Sequence, residues 1–350
     1  MRTARDASSP RPRRAWRHSG LLLAALLGGQ AVDDDARAAK ATKIPPLPPE
    51  QRRAVAAIER RTGLIERDKE RPGAPVIRVM LGDPRTSDAD LVPLTQFAAV
   101  QTLVIAPCAV TDIGLENVEG MADLRALYLS GNRVTDAGLR HLKRLDRLEI
   151  LDLAGTRVSG AGLSHLAGLG ALEELRLGRN RISDVGLARL EPLEKLRVLD
   201  LSGTLVTDAG LDHLAKMKLL ATLGLAGTKV GAAGMARIAE LPGLEEIDLS
   251  GTRTTNAGLA HLGKARGLRA LGLARTRVGD AGMALLAAHP VLERLDLSGT
   301  SVTDAGVARL AKLRHLKELD IRNTRATPSR IAALSRALPK AMIRHSDEGP

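Results

Sequence analysis

One line of this sequence, LDLSGTLVTDAGLDHLAKM from Leu199, is rewritten every 24 residues. With each unit started at the first Leu of an LxxLxL run, the register falls on Leu124, Leu148, Leu172, Leu196, Leu220, Leu244, Leu268, Leu292 and Leu316 without insertion. Two further steps back reach Val100 and Val76, giving eleven units from Val76 to about Pro339. So short a unit cannot bury enough apolar surface to offset its own ordering entropy. The units must therefore stack, each covering the exposed flank of the next.

Within a unit the apolar positions are 1, 4, 6, 11, 16, 19 and 22, in one line Leu196, Leu199, Leu201, Val206, Leu211, Leu214 and Met217. Positions 4 and 6 alternate with polar or small residues, the period of a strand. Positions 16, 19 and 22 have the spacing of one helical stripe. Position 12 is Ser, Thr or Gly in every unit and suits a helix N-cap, and the Asp usual at position 13 suits the positive end of the helix dipole. Pro328 takes that place in the last unit. Position 15 is Gly in nine units, from Gly114 to Gly306, as close approach of the outer backbone to its neighbours requires. The expected fold is α/β: eleven strand-turn-helix units with parallel strands lining one face.

The residues LxxLxLxGT followed by VTDAGLxxLxxL resemble the leucine-rich repeat family, in particular its TDAGL-bearing bacterial repeats, which are similar to those of ribonuclease-inhibitor-like and F-box-associated proteins. The resemblance covers about three quarters of the chain. It implies a horseshoe solenoid, strands on the concave face, that binds macromolecules; it implies no particular partner.

Outside the repeats, residues 1–31 have the order of a cleavable export signal: six Arg, a short apolar run from Leu21 to Leu27, then small residues ending at Ala31. That run is too short to span a bilayer, so no integral span is expected in the mature chain, which should begin near Val32. Residues 32–48 read as a Pro-rich linker and 49–75 as a helical cap on the first core layer, with Val55, Ile58 and Ile65 near one face. LPPE at Leu47 resembles the opening of an F-box, but the Trp and apolar pattern that should follow is absent. Residues 340–350 read as a frayed tail. The net charge is +12; the leader contributes +5, leaving +7 on the mature chain, so the basicity belongs to the folded part.

A solenoid turns each position of the repeat into a surface column, with steps of about 4.8 Å. Position 5, mid-strand and outward, gives a concave column of Tyr128, Asp152, Arg176, Asp200, Gly224, Asp248, Gly272, Asp296 and Asp320. The alternation of Asp with Gly, and of Ser202, Ser250 and Ser298 with Ala226 and Ala274 at position 7, has a period of 48, as duplication of a two-unit block would leave. Position 10 gives a basic rim: Arg85, Arg133, Arg157, Arg181, Lys229, Arg253, Arg277 and Arg325, with three units lacking a cation. The charged residues of the concave column with Tyr128, and the rim from Arg133 to Arg325, are the candidate partner-binding residues.

The chemistry-bearing residues otherwise recur for structural reasons. His141, His165, His213 and His261 share position 18 on the outer helix flank and read as solvated side chains, since a metal site needs three or four convergent ligands. Cys108 stands at position 9, where other units place Asn or Thr to bond the turn. No GxSxG elbow, HExxH, phosphate loop or GxGxxG is present. No enzyme, cofactor, metal or small-molecule substrate is expected. The leading expectation is an exported scaffold binding a protein or peptide through the concave face and rim. The alternatives are a polyanion binder using the rim Arg, which needs no aromatic stacking platform, and an F-box-like adaptor.

Overall fold

The structure, a computed structural model, describes residues 44–346. The expected leader at 1–31 and most of the linker lie outside the described residues. Every unit begins with a short strand, and one 13-stranded sheet runs in strict chain order. From Val76–Leu81 to Met342–Arg344 all neighbours pair in parallel, in one register: Leu127 against Leu151, Leu151 against Leu175, Leu175 against Leu199. The inward positions are the core. Leu199, Leu201, Val206, Leu214, Met217 and their equivalents are closed to solvent in one cluster from Leu47 to Leu338. Among the described residues no helix is long and apolar enough to cross a membrane.

Four expectations are corrected. The cap helix covers only Pro49–Glu59. Thr62 then takes a left-handed φ of 53°, and Leu64–Arg67 becomes a strand antiparallel to Val76–Leu81. Ile65 therefore lies on a strand, and the first sheet edge is sealed by backbone hydrogen bonds as well as by a helix. Leu47, placed in the linker, is buried against the same core. At the far end Met342–Arg344 is a thirteenth strand pairing with Glu318–Asp320 rather than a frayed tail.

The fourth correction concerns the outer segments. They are 3-10 turns in the early units, such as Gly114–Val118, Gly138–Leu142 and Gly162–Leu166, and α-helical from Ala232–Ile238 onward. Full α-helices are about 10 Å wide and cannot stack at the 4.8 Å strand spacing without fanning apart. The tighter 3-10 turn is the narrower solution.

The TDAGL line acts between units as well as within them. Asp184 accepts from the Thr207 backbone N–H at 2.8 Å and from its hydroxyl at 2.6 Å, and Thr207 caps the next outer helix by accepting from Ala209 N–H. Asp88, Asp112, Asp136, Asp280 and Asp304 hold the next unit's Thr or Ser in the same way. Gly at position 15 makes room for that carboxylate: a Cβ on Gly162 would meet Asp136 Oδ1 at 2.5 Å, and one on Gly234 would meet Asp208 Oδ1 at 2.5 Å. Where position 13 is itself Gly160, the space above it is taken by Gly186, backbone on backbone. The Asp expected to complement a helix dipole is thus a clamp between successive units.

Candidate functional site: the concave column and the basic rim

The strand register aligns the concave column as expected: Tyr128 pairs with Asp152, Asp152 with Arg176, Arg176 with Asp200, and Asp296 with Asp320. Its carboxylates, however, are engaged at home. Asp152, Asp200, Asp248, Asp296 and Asp320 each accept from the backbone N–H two residues on, at 2.9 to 3.1 Å, closing the turn that ends the strand. Asp152 and Asp320 are buried. Burial pushes the Asp152 and Asp248 carboxyls above the usual range, more than their hydrogen bonds lower them.

The cations of this face are also satisfied. Arg176 pairs with Glu174 and lies 3.9 Å from Asp152, Arg322 holds Asp320, and Arg294 reaches Glu246 two strands away. The 48-residue alternation has a steric component. A Cβ on Gly224 would fall 2.5 Å from Asp200 Oδ1 and 3.0 Å from Ser202 Oγ.

The rim is built differently. After the turn the chain pairs again with the preceding unit: Arg133 N–H donates to Val110 O, Arg157 to Val134 O, Arg253 to Val230 O and Arg277 to Thr254 O, at 2.8 to 3.0 Å. Short parallel bridges join Ser159 to Arg181, Thr255 to Arg277 and Thr303 to Arg325. This second ladder fixes position 10 as regularly as the sheet fixes position 5. Positions 9 and 11 are mostly buried, so position 10 points outward. Arg133, Arg157, Arg181, Lys229, Arg253, Arg277 and Arg325 are all exposed, and among the described residues none forms an ion pair. Arg85 differs, being held by Asp83.

At the opposite edge, where the strands begin, position 2 carries both signs and they pair across units: Arg125 with Glu149, Arg197 with Glu173, Arg269 with Glu293 and Lys317 with Glu293. The two edges of one solenoid are therefore electrostatically unlike.

Sequence reasoning missed two cations beside this rim. Arg179 and Arg275, at position 8, are exposed and adopt left-handed φ values of 60° and 54°. The sequence signal was there, because the corresponding residue is Gly in most units.

The histidine reading needs amendment. His213 bonds Glu191 at 2.8 Å, and His141 is buried against Glu119 rather than solvated. His289, at the core position 22, is buried, its Nδ1 has no partner, and burial lowers its pKa. No group of three or more His, Cys, Asp or Glu placed to hold a metal occurs among the described residues. Cys108 is buried, its Sγ 3.3 Å from Asp83 O and 3.6 Å from Leu81 O, and burial pushes its thiol pKa up. It takes the turn-bonding place that Thr204 fills in its own unit by donating to Leu201 O at 2.6 Å.

A parallel sheet one strand per unit deep, inward leucines and an outer layer of short helical segments define a strand-helix solenoid of the horseshoe class. Models of the leucine-rich repeat match residues 147–206, and again residues 121–143 and 288–311. The chain carries leucine-rich repeats. Among solved structures it is similar to an internalin (inlF) from Listeria monocytogenes, with a TM-score of 0.57 at 17% identity over 81% of this chain and 92% of that one. It is also similar to a chain of the mouse RP105/MD-1 complex, with a TM-score of 0.53 at 16% identity over 79% of this chain and 60% of the other. A plant ice-binding protein gives a TM-score of 0.50 at 16% identity over 73% of this chain and 88% of its own. Identities this low speak to the fold. No curated protein matches the sequence.

Proposed function

We propose that this chain is an exported, non-enzymatic scaffold that binds a protein or peptide, and that the partner docks along the basic rim rather than deep in the concave face. One observation carries the reading: seven exposed cations stand in register along one edge without ion-pair partners, while the carboxylates and guanidinium groups of the concave face are already bonded to their own chain. Unpaired, aligned charge steers and orients an oppositely charged partner with little desolvation cost at home. Protein binding also accords with the RP105/MD-1 neighbour, whose structure is of a complex. Export is supported by the basic, apolar and small-residue order of residues 1–31.

The test compares affinity-purified partners of the mature chain with those of a variant carrying Arg133→Glu, Arg157→Glu, Arg181→Glu and Arg253→Glu. The expected partner is lost from the variant, is retained by a chain with Asp200→Asn and Asp248→Asn, and dissociates as salt rises. Retention by the rim variant and loss from the Asn variant would place the site on the concave face instead.

A further inference from the structure

Arg179 and Arg275 occupy a backbone conformation that disfavours them. Position 8 turns the chain out of the strand with positive φ, and Gly131, Gly155, Gly203, Gly227, Gly251 and Gly299 serve there in other units. A side chain in the left-handed region strains the backbone, and such strain persists where something else is gained. No internal contact accounts for it: among the described residues neither guanidinium has an ion-pair or hydrogen-bond partner.

Their placement along the solenoid accounts for it. Counting from Arg133, two units of the rim lack a cation at position 10, those of Leu205 and Ser301. Arg179 and Arg275 belong to the units immediately before these two. A Cβ added to Gly203 would lie 3.5 Å from Arg179 Cγ but 3.7 Å from its Cα; on Gly299 it would lie 3.0 Å from Arg275 Cγ and 3.8 Å from its Cα. Each stem thus leans over the bare glycine of the next unit, the unit with the missing charge.

We propose that Arg179 and Arg275 are binding residues that close the two gaps, making the rim a continuous row of one cation per unit over nine units, and that this row takes an extended acidic polypeptide segment laid along the solenoid. The proposal rests on the rim reading above and adds the form of the ligand. Eight steps of about 4.8 Å span roughly 38 Å, which an extended chain rising about 3.3 Å per residue covers with about 12 residues. A flexible segment follows the curve of the edge, whereas duplex DNA is stiff on this scale and meets a curved row at few phosphates. Among the described residues, ligands that bind by ring stacking find no platform on the rim: Tyr128 lies on the concave strands and Phe97 is buried.

The test measures binding of fluorescent oligoglutamate peptides of 4, 8, 12 and 16 residues, and of a short DNA duplex, to the full chain at one salt concentration. The same titrations use Arg179→Gly, Arg275→Gly and the double variant. Affinity should rise with length to about 12 residues and then level off. The double variant should bind the 12-residue peptide roughly three- to ten-fold more weakly, the loss of two exposed charge contacts, while melting at or above the wild-type temperature because Gly relieves the backbone. Unchanged peptide affinity in the double variant, weaker binding accompanied by a lower melting temperature, affinity still climbing at 16 residues, or tighter binding of the duplex would each overturn the proposal. Failure of the rim reading has its own signature: wild type binds no peptide, and the four rim Arg→Glu changes have no effect.

Discussion

The clamp between units makes a quantitative prediction about two residues of consecutive repeats. Asp184 receives two hydrogen bonds from Thr207, at 2.8 and 2.6 Å. Bonds to a charged acceptor contribute about 1.5 to 3 kcal/mol each when formed in a protected place, so Asp184→Ala should cost about 2 to 3 kcal/mol at this half-buried site. Gly210→Ala inserts a Cβ within 3.0 Å of Asp184 Oδ1, displacing the carboxylate and its bonds. Overpacking adds about 1 to 3 kcal/mol to the lost bonds, offset by about 1 kcal/mol of helix propensity gained from Ala, so this change should cost about 2 to 5 kcal/mol.

With both changes the carboxylate is absent, and the new Cβ faces the Asp184 Cα at 3.3 Å, a contact that small relaxation accommodates. The bonds are then lost once and the propensity gain remains, so the double variant should be no less stable than Asp184→Ala alone. The coupling energy, one set of bonds plus the relieved overpacking, is about 3 to 6 kcal/mol, at or above the upper end of what directly contacting residues show. Urea unfolding followed by far-ultraviolet circular dichroism measures it, since the chain's one Trp, Trp16, precedes the repeats in sequence. Additive costs in the double variant would show that Gly210 is required for some reason other than the neighbouring Asp.

Other consequences follow from burial and protonation. Leu199→Ala, fully buried in a central unit, should cost about 2 to 5 kcal/mol. Asp200→Asn beside it should cost under about 1 kcal/mol because Asn keeps the acceptor for Ser202 N–H; melts ranked the other way would reverse the inward and outward assignment. His289 has a folded-state pKa lowered by burial and by nearby Arg266, so the folded form binds the proton less readily than the unfolded chain. Its contribution to stability is intact above the ordinary His range and is lost as pH falls below it; His289→Leu should raise stability and flatten that slope between pH values of about 7 and 5. Asp280 is only half-buried, and its bonds from Thr303 and Gly306 outweigh the desolvation there and lower its pKa. Its stabilisation is therefore present above the ordinary carboxylate range and disappears only at lower pH, and Asp280→Asn should remove that acid sensitivity in pH-dependent melts.

How much of this was legible in the sequence depends on whether a feature repeats. Leu199, Val206 and Leu214 recur in phase, and phase alone assigned them inward; the register of the eleven strands inside the units followed from the same fact. The ends do not repeat. Leu64–Arg67 and Met342–Arg344 seal or extend the sheet by backbone hydrogen bonds, which leave no apolar period to read. The Asp of TDAGL was visible, but its partner 23 residues on was not, because a helix-dipole role and a clamp demand the same residue at the same place. Column 5 was placed correctly while its availability was not: the turn bond that Asp152 makes to Ala154 N–H depends on backbone direction rather than residue type. His289 and Arg179 show the reverse, since each departs from its column and that departure marked a buried base in one case and a strained cation in the other.

The central claim, that the partner lies on the unpaired rim, is tested most directly by site-specific photo-crosslinking in the host. A crosslinking residue replaces Lys229 on the rim, Ser202 on the concave face or His261 on the outer helix, one at a time, in the full chain. A covalent adduct with one protein from the Lys229 position, with none from His261 and little from Ser202, is the expected result. An adduct formed from Ser202 while Lys229 yields none would contradict it.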